Sequence, residues 1–171
     1  MMNRPTSDEY AAYYGKYIAL VPDGSLPEWL SRQLEETAMM LSGLTNEQEI
    51  FRYAPGKWSV KEVLGHLIDT ERIMSYRLLR IARGDETPLA GYEDEAYVLQ
   101  GSFDSRPMSA LLEEFRAVRG STLALINGVP EEAWTRRGLA NNSELSARAL
   151  AYIIAGHELH HRKLLSERYH L

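Results

Sequence analysis

The sequence predicts an all-α fold, a four-helix bundle. Three observations carry this expectation. Four long segments space their apolar residues at the 3.6-residue period of an amphipathic helix. No segment shows the convincing alternation of a half-buried strand. The segment ends fall on residues that start or stop helices. A chain of 171 residues suits one domain spanning 1–171, with residues 1–7 expected to be disordered. A domain near this size buries roughly 70% of its unfolded surface, enough for a core without staples.

The first segment spans about Leu26 to Leu44, opened by Ser25 and Pro27 and closed near Gly43. The second runs from Ser59 to about Arg83. Ser59 and Glu62 have the S-x-x-E spacing of a capping box, Trp58 and Val63 can form the hydrophobic staple, and Gly84 stops the helix. The third begins around Pro107, a favoured first-turn residue, and reaches Asn127-Gly128. Its inner stripe is Leu111, Phe115, Val118, Thr122 and Leu125. The fourth is expected from about Glu144, capped by Asn142 or Ser143, to Glu167 or Arg168. Between the second and third lies a long loop, Asp85 to Arg106, and such loops are often functional. Pro130 to Trp134 can form a short helical turn.

Composition narrows the chemistry. There is no cysteine, which removes disulfides, thiolate ligands and a cysteine nucleophile. His, Asp and Glu are then the strong metal ligands available. The net charge is −5 and the 19 basic residues are scattered, so no phosphate-neutralising surface for nucleic acid is expected. No apolar run approaches the roughly 20 residues of a membrane span. The amino-terminal stretch carrying Arg4, Asp8 and Glu9 lacks the apolar centre of a secretory leader. A cytoplasmic protein acting on a small molecule, without nucleic-acid or membrane partners, is the expectation.

Three of the five histidines concentrate in one stretch, His157-Glu158-Leu159-His160-His161. On a helix, His157 and His161 lie on one face, about 40° apart, inside the stripe made by Leu150, Ile154 and Leu164. Two imidazoles buried there must satisfy their polar nitrogens, and a metal satisfies both at once. His66 lies at the edge of the apolar stripe of the second segment, beside Ser59, Glu62, Thr70, Ile73 and Arg77. Asp69 is placed to orient it through its other ring nitrogen. The simpler reading of His66 alone is a hydrogen-bonded structural residue. His157-Glu158-x-x-His161 also matches the H-E-x-x-H zinc-protease pattern. With ten residues after His161 and no strand to hold a peptide, that match is weak. Glu158 is otherwise a flank carboxylate able to pair with Arg162 at i+4.

These residues resemble the DinB-like superfamily, also called the DinB/YfiT metalloenzymes. The likeness runs from about Tyr17 to Tyr169. It rests on Arg52 to Arg72, which holds Trp58-Ser59, Glu62 and Gly65-His66, on Arg80-Ile81-Ala82-Arg83-Gly84-Asp85, and on Ala155-Gly156-His157-Glu158-Leu159-His160-His161. The resemblance implies a four-helix bundle with a three-histidine metal site on His66, His157 and His161, His160 being the extra member of its pair. It also implies a homodimer, and its relatives include S-transferases and isomerases that use thiols such as bacillithiol or mycothiol.

The expected function is a metal-dependent transferase that activates a low-molecular-weight thiol at one divalent transition metal, zinc or nickel ahead of iron. Three neutral histidines leave the ion its full charge and an open position, and a cation there favours a thiolate. Arg77 and Arg80, with Arg119 as a further option, can hold carboxylates of such a thiol, although surface salt-bridging is the simpler reading for each. Tyr92, Glu93 and Asp94 can line the pocket mouth. The alternatives are a metal-dependent hydrolase of small substrates with Glu158 as base, and a non-catalytic metal-binding bundle.

Overall fold

A computed structural model describes residues 3–171, which form seven α-helices and one β-hairpin. Short helices α1 (Gly15–Ile18) and α3 (Asn46–Glu49) flank α2 (Leu26–Leu41). Helix α4 (Val60–Ala82) follows, then α5 (Asp94–Gly101) and α6 (Met108–Asn127). Strands β1 (Arg137–Ala140) and β2 (Ser143–Ser146) lead into α7 (Ala147–Tyr169). The long helices α2, α4, α6 and α7 make a four-helix bundle, and none of the described helices is long and apolar enough to cross a membrane.

The capping box at Ser59 forms. The Glu62 N–H donates to the Ser59 hydroxyl at 3.0 Å, and the Ser59 N–H donates to the Glu62 carboxylate at 2.9 Å. Pro107 caps α6 from just outside its first turn, and the short turn expected after Pro130 is a 3-10 turn at Glu131–Ala133. The first long helix stops at Leu41, before the expected Leu44. The long loop contains α5 and a 3-10 turn at Phe103–Ser105.

The start of the fourth helix is corrected. Residues 137–146, expected partly as helix, form an antiparallel hairpin with Gly138 opposite Leu145 and Leu139 opposite Glu144. Its turn holds Asn141 and Asn142 at φ 49° and 57°, the left-handed pair that tight hairpins need and a helix cannot pass through. Ser146 then caps α7, accepting from the Ala149 N–H at 3.0 Å. At the amino end, residues 1–2 lie outside the described residues. In the rest of the segment expected to be disordered, Arg4 donates to the carbonyls of Ile18 at 2.7 Å and Val21 at 2.6 Å, and Pro5 is buried.

Two apolar clusters divide the bundle. One gathers Leu30, Leu78, Ile81, Leu150 and Ile153, the other Leu41, Val63, Leu64, Phe115 and Leu165. Each long helix carries buried polar residues at or beside the boundary between the two, among them Gln33 and Thr37 on α2, His66, Thr70 and Glu71 on α4, Arg119 and Thr122 on α6, and His157, Glu158 and His161 on α7. A belt of polar side chains therefore crosses the middle of an apolar core, where each group must find a partner.

Candidate metal centre

The three expected ligands meet in that belt. His66 Nε2 lies 3.0 Å from His157 Nε2, and His161 Nε2 lies 3.2 Å from the same atom. One ligating atom from each lies within 4.8 Å of the others, and all three residues are buried. Glycines precede both ends of the set and permit close approach. A Cβ at Gly156 would meet the Tyr17 carbonyl oxygen at 2.0 Å, so only glycine lets the amino-terminal segment lie across α7 beside His157. A Cβ at Gly65 would meet the Phe103 ring at 2.3 Å, in front of His66.

Burial keeps these imidazoles neutral. It pushes His66 down to about 4, against the smaller opposing pull of the Asp94 charge. It pushes His157 and His161 well below the ordinary range, and their histidine neighbours and Lys16 act in the same direction. Neutral nitrogens are the form a metal binds. The donor set fits a divalent transition ion: metal–nitrogen bonds of about 2.0–2.1 Å bring neighbouring donors to roughly the separations seen here. Without an ion, three converging Nε2 atoms cannot all be satisfied by one another's single proton, and His161 Nδ1 has no hydrogen-bond partner.

The surroundings differ from the expected ones. Asp69 does not orient His66; it is half-buried and faces Arg72 at 3.5 Å. The neighbour of His66 Nδ1 is Thr70 Oγ1 at 3.4 Å, and that hydroxyl lies 2.9 Å from the Tyr92 hydroxyl. The long loop thus reaches the site through Tyr92, while Asp94 acts on His66 only by its charge. Trp58 packs its ring 4.7 Å from His66 and 6.4 Å from His161. Tyr17 meets both His157 and His160 edge-on at 5.5 and 5.4 Å. The packing of Tyr17 and its α1 turn against α7 carried no signal in the sequence. Trp58 was legible as a helix staple and as part of the stretch that carries the resemblance, but not as a wall of the site.

Glu158 and the arginines are also placed differently. Glu158 does not pair with Arg162, which binds Glu36 instead. Its Oε1 accepts from Thr37 at 2.6 Å and its Oε2 from Arg119 at 2.6 Å, with only 2% of the residue exposed. Arg119 also donates to both oxygens of Glu71 at 2.8 Å and to the Leu30 carbonyl at 2.8 Å. One guanidinium therefore ties α2, α4, α6 and α7 together, with four of its five N–H donors already engaged and its charge met by two carboxylates. Arg80 pairs with Asp85 and Tyr76 outside the core. Arg77 is buried beside Tyr92. Glu95 shares a cavity of about 210 Å³ with Trp58 and His161.

Comparison with known proteins agrees with this architecture. Residues 30–165 match the family described as the DinB superfamily. A protein of Oceanobacillus iheyensis, named as a candidate metal-dependent hydrolase, is 24% identical over 140 residues, covering 78% of this chain and 79% of its own. The structure of YfiT from Bacillus subtilis, described as a candidate metal-dependent hydrolase with an unusual four-helix bundle topology, matches with a TM-score of 0.72 at 20% identity. That match covers 97% of this chain and 93% of YfiT. A mycothiol-dependent maleylpyruvate isomerase matches with a TM-score of 0.67 at 13% identity; the match covers 86% of this chain and 61% of the isomerase.

Proposed function

The chain belongs to the DinB superfamily, and we propose that it is a metal-dependent enzyme acting on a small molecule, with His66, His157 and His161 as the ligands of one divalent ion. Zinc and nickel suit three imidazoles, and iron is accommodated as well. The leading reaction class is transfer to or through a low-molecular-weight thiol. When bound, the ion supplies positive charge that favours a thiolate over a thiol.

One observation carries the choice of nucleophile. The ligand set is three buried neutral imidazoles, and the carboxylate next in sequence, Glu158, has both oxygens engaged by Thr37 and Arg119. A thiol would release its proton to solvent on meeting such an ion and so would not require that carboxylate as a base. In this reading Glu158 is a positioning residue that anchors α7 beside His157, and Arg80 and Arg119 serve the fold. Trp58 and Tyr17 exclude water from two sides of the ligands, and Thr70 holds the His66 ring.

Hydrolysis of a small substrate is the second reading. It is supported by the names given to the Oceanobacillus protein and YfiT. It would need a base other than Glu158, and Glu95, which lines the same cavity as His161, is the candidate.

Metal content of tag-free protein tests the shared claim. One ion per chain is expected in the wild type, and far less in His157→Ala or His161→Ala; full occupancy in either variant removes it. Conjugation of a generic electrophile then separates the readings. The thiol reading expects a rate that needs added thiol and disappears with a chelator. Ester hydrolysis that proceeds without thiol, survives Glu158→Gln and falls in Glu95→Gln would select the second.

A further inference from the structure

We infer that the cavity between α4 and the loop at residues 87–92 is a subsite for the carboxylate of a small-molecule ligand, with Arg77 as its counter-charge. The cavity measures about 380 Å³, and Ile73, Tyr76, Arg77, Arg80, Tyr92 and Tyr97 form most of its wall. No acidic residue lines it.

The case rests on two buried arginines that end differently. Arg119 is 0% exposed and meets the carboxylates of Glu71 and Glu158. Arg77 is 3% exposed and meets no carboxylate among the described residues. Its Nη2 donates to the Ala90 carbonyl at 2.8 Å, and its Nη1 faces the Met74 sulfur at 3.7 Å. Its guanidinium lies 5.8 Å from the Tyr92 ring centre. A carbonyl, a thioether and a ring face ease a cation but do not neutralise it, and a buried charge without a counter-ion is costly. The other cation of the wall, Arg80, already has Asp85. An anionic ligand completes Arg77 in the way that Glu71 and Glu158 complete Arg119, and a planar carboxylate matches the guanidinium fork.

Position relates this subsite to the metal centre. Arg77 follows His66 by eleven residues on α4, which returns it to within about 20° of the same face, about 16 Å along the axis. Helical side chains lean toward the amino terminus, so the Arg77 head reaches toward His66. Tyr92 is the shared wall, through its contact with Thr70 beside His66. The occupant is therefore a carboxylate-bearing molecule whose acidic group lies well away from its reacting atom. That assignment of the far end rests on the proposed metal centre; the anion site itself does not.

Calorimetric titration of the purified full chain with succinate tests the subsite, with neutral succinamide as the control. Both are titrated before and after chelation, because a carboxylate can also ligate a metal. The expected result is saturable succinate binding that survives chelation, no matching succinamide binding, and a loss of at least about tenfold in Arg77→Met, since a charge-assisted bidentate pair is removed. If Arg77→Met does not fold, Arg77→Lys gives the same decision, because lysine cannot reproduce the fork and weaker binding is expected. Succinate binding that vanishes on chelation, equals succinamide binding, is undetectable at tens of millimolar, or is unchanged in the arginine variants overturns the subsite. Failure of metal binding with succinate binding intact would instead sink only the proposed metal centre.

Discussion

The Arg119 cluster and the histidine cluster share helices α4 and α7, yet their polar atoms end differently. Arg119 directs its donors at Glu71, Glu158 and the Leu30 carbonyl, and Glu158 takes its remaining bond from Thr37. His66, His157 and His161 point three Nε2 atoms at one another, and His161 Nδ1 has no hydrogen-bond partner among the described residues. One set is closed, the other converges on a point that no protein group fills. Side chains that satisfy each other hold a fold, whereas donor atoms that converge on one point mark a candidate site. Glu158 and His157 are neighbours in sequence and fall on opposite sides of that division.

The largest expected effect comes from opening the closed set. Arg119→Met leaves Glu71 and Glu158 buried without a counter-charge, which is expected to cost about 3–5 kcal/mol of stability, read from denaturant unfolding. Replacing all three by apolar residues of similar volume is expected to recover most of that loss. If Arg119→Met costs less than about 1 kcal/mol, far below the usual penalty, the cluster is not the tie described here.

Acid acts on the open set. The unfolded chain binds protons at its histidines near pH 6.5, while burial holds folded His66 down to about 4 and keeps His157 and His161 well below the ordinary range. In that window the unfolded state binds more protons, so stability present above about pH 6.5 falls as the pH drops toward 4. His66 alone corresponds to roughly 3 kcal/mol. Carboxylates act lower. Burial pushes Glu9 up, but hydrogen bonds led by that of Arg148 outweigh it and bring the group to about 2, so its contribution is lost only below about pH 4.5. Urea midpoints of chelated protein should therefore fall between pH 6.5 and 4.5; a flat profile contradicts neutral buried imidazoles.

Thr70 separates support of the open set from mere proximity. Loss of a group that orients a ligating histidine usually costs 10–100-fold in metal affinity. Thr70→Val is expected in that range by chelator competition, and Asp69→Asn well below it. Equal losses would return the orienting role to Asp69.

Much of this contrast was legible in the sequence, and the remainder has physical causes. The four-residue spacing of His157 and His161 fixes a shared face on any helix, and S-x-x-E announces the start of α4 without tertiary help. Those features are local. Arg119 reads as a surface cation because its partners stand 39, 48 and 89 residues away. Asp69 looked like the partner of His66 because spacing alone cannot say which neighbour a ring nitrogen faces. The hairpin before α7 is only eight paired residues, too short for alternation to compete with the helical pattern that follows it.

The smallest expected effect tests whether helix starts matter to the open set at all. Ser59 caps α4 seven residues before His66, and Ser146 caps α7 eleven residues before His157. Both are fully buried, and alanine at such a cap costs about 0.5–2 kcal/mol. The two variants should lose similar stability. They should differ in metal affinity, because Ser59 also donates to Asp104, which Arg52 holds together with Glu62. That network fixes the turn bearing Trp58, whose ring packs on two of the three ligands. Ser59→Ala is therefore expected to weaken metal binding measurably, and Ser146→Ala to leave it nearly unchanged. Equal metal affinities in the two variants would show that the ligands are held by the middle of the bundle alone; unchanged unfolding of Ser59→Ala would show that its cap carries no load.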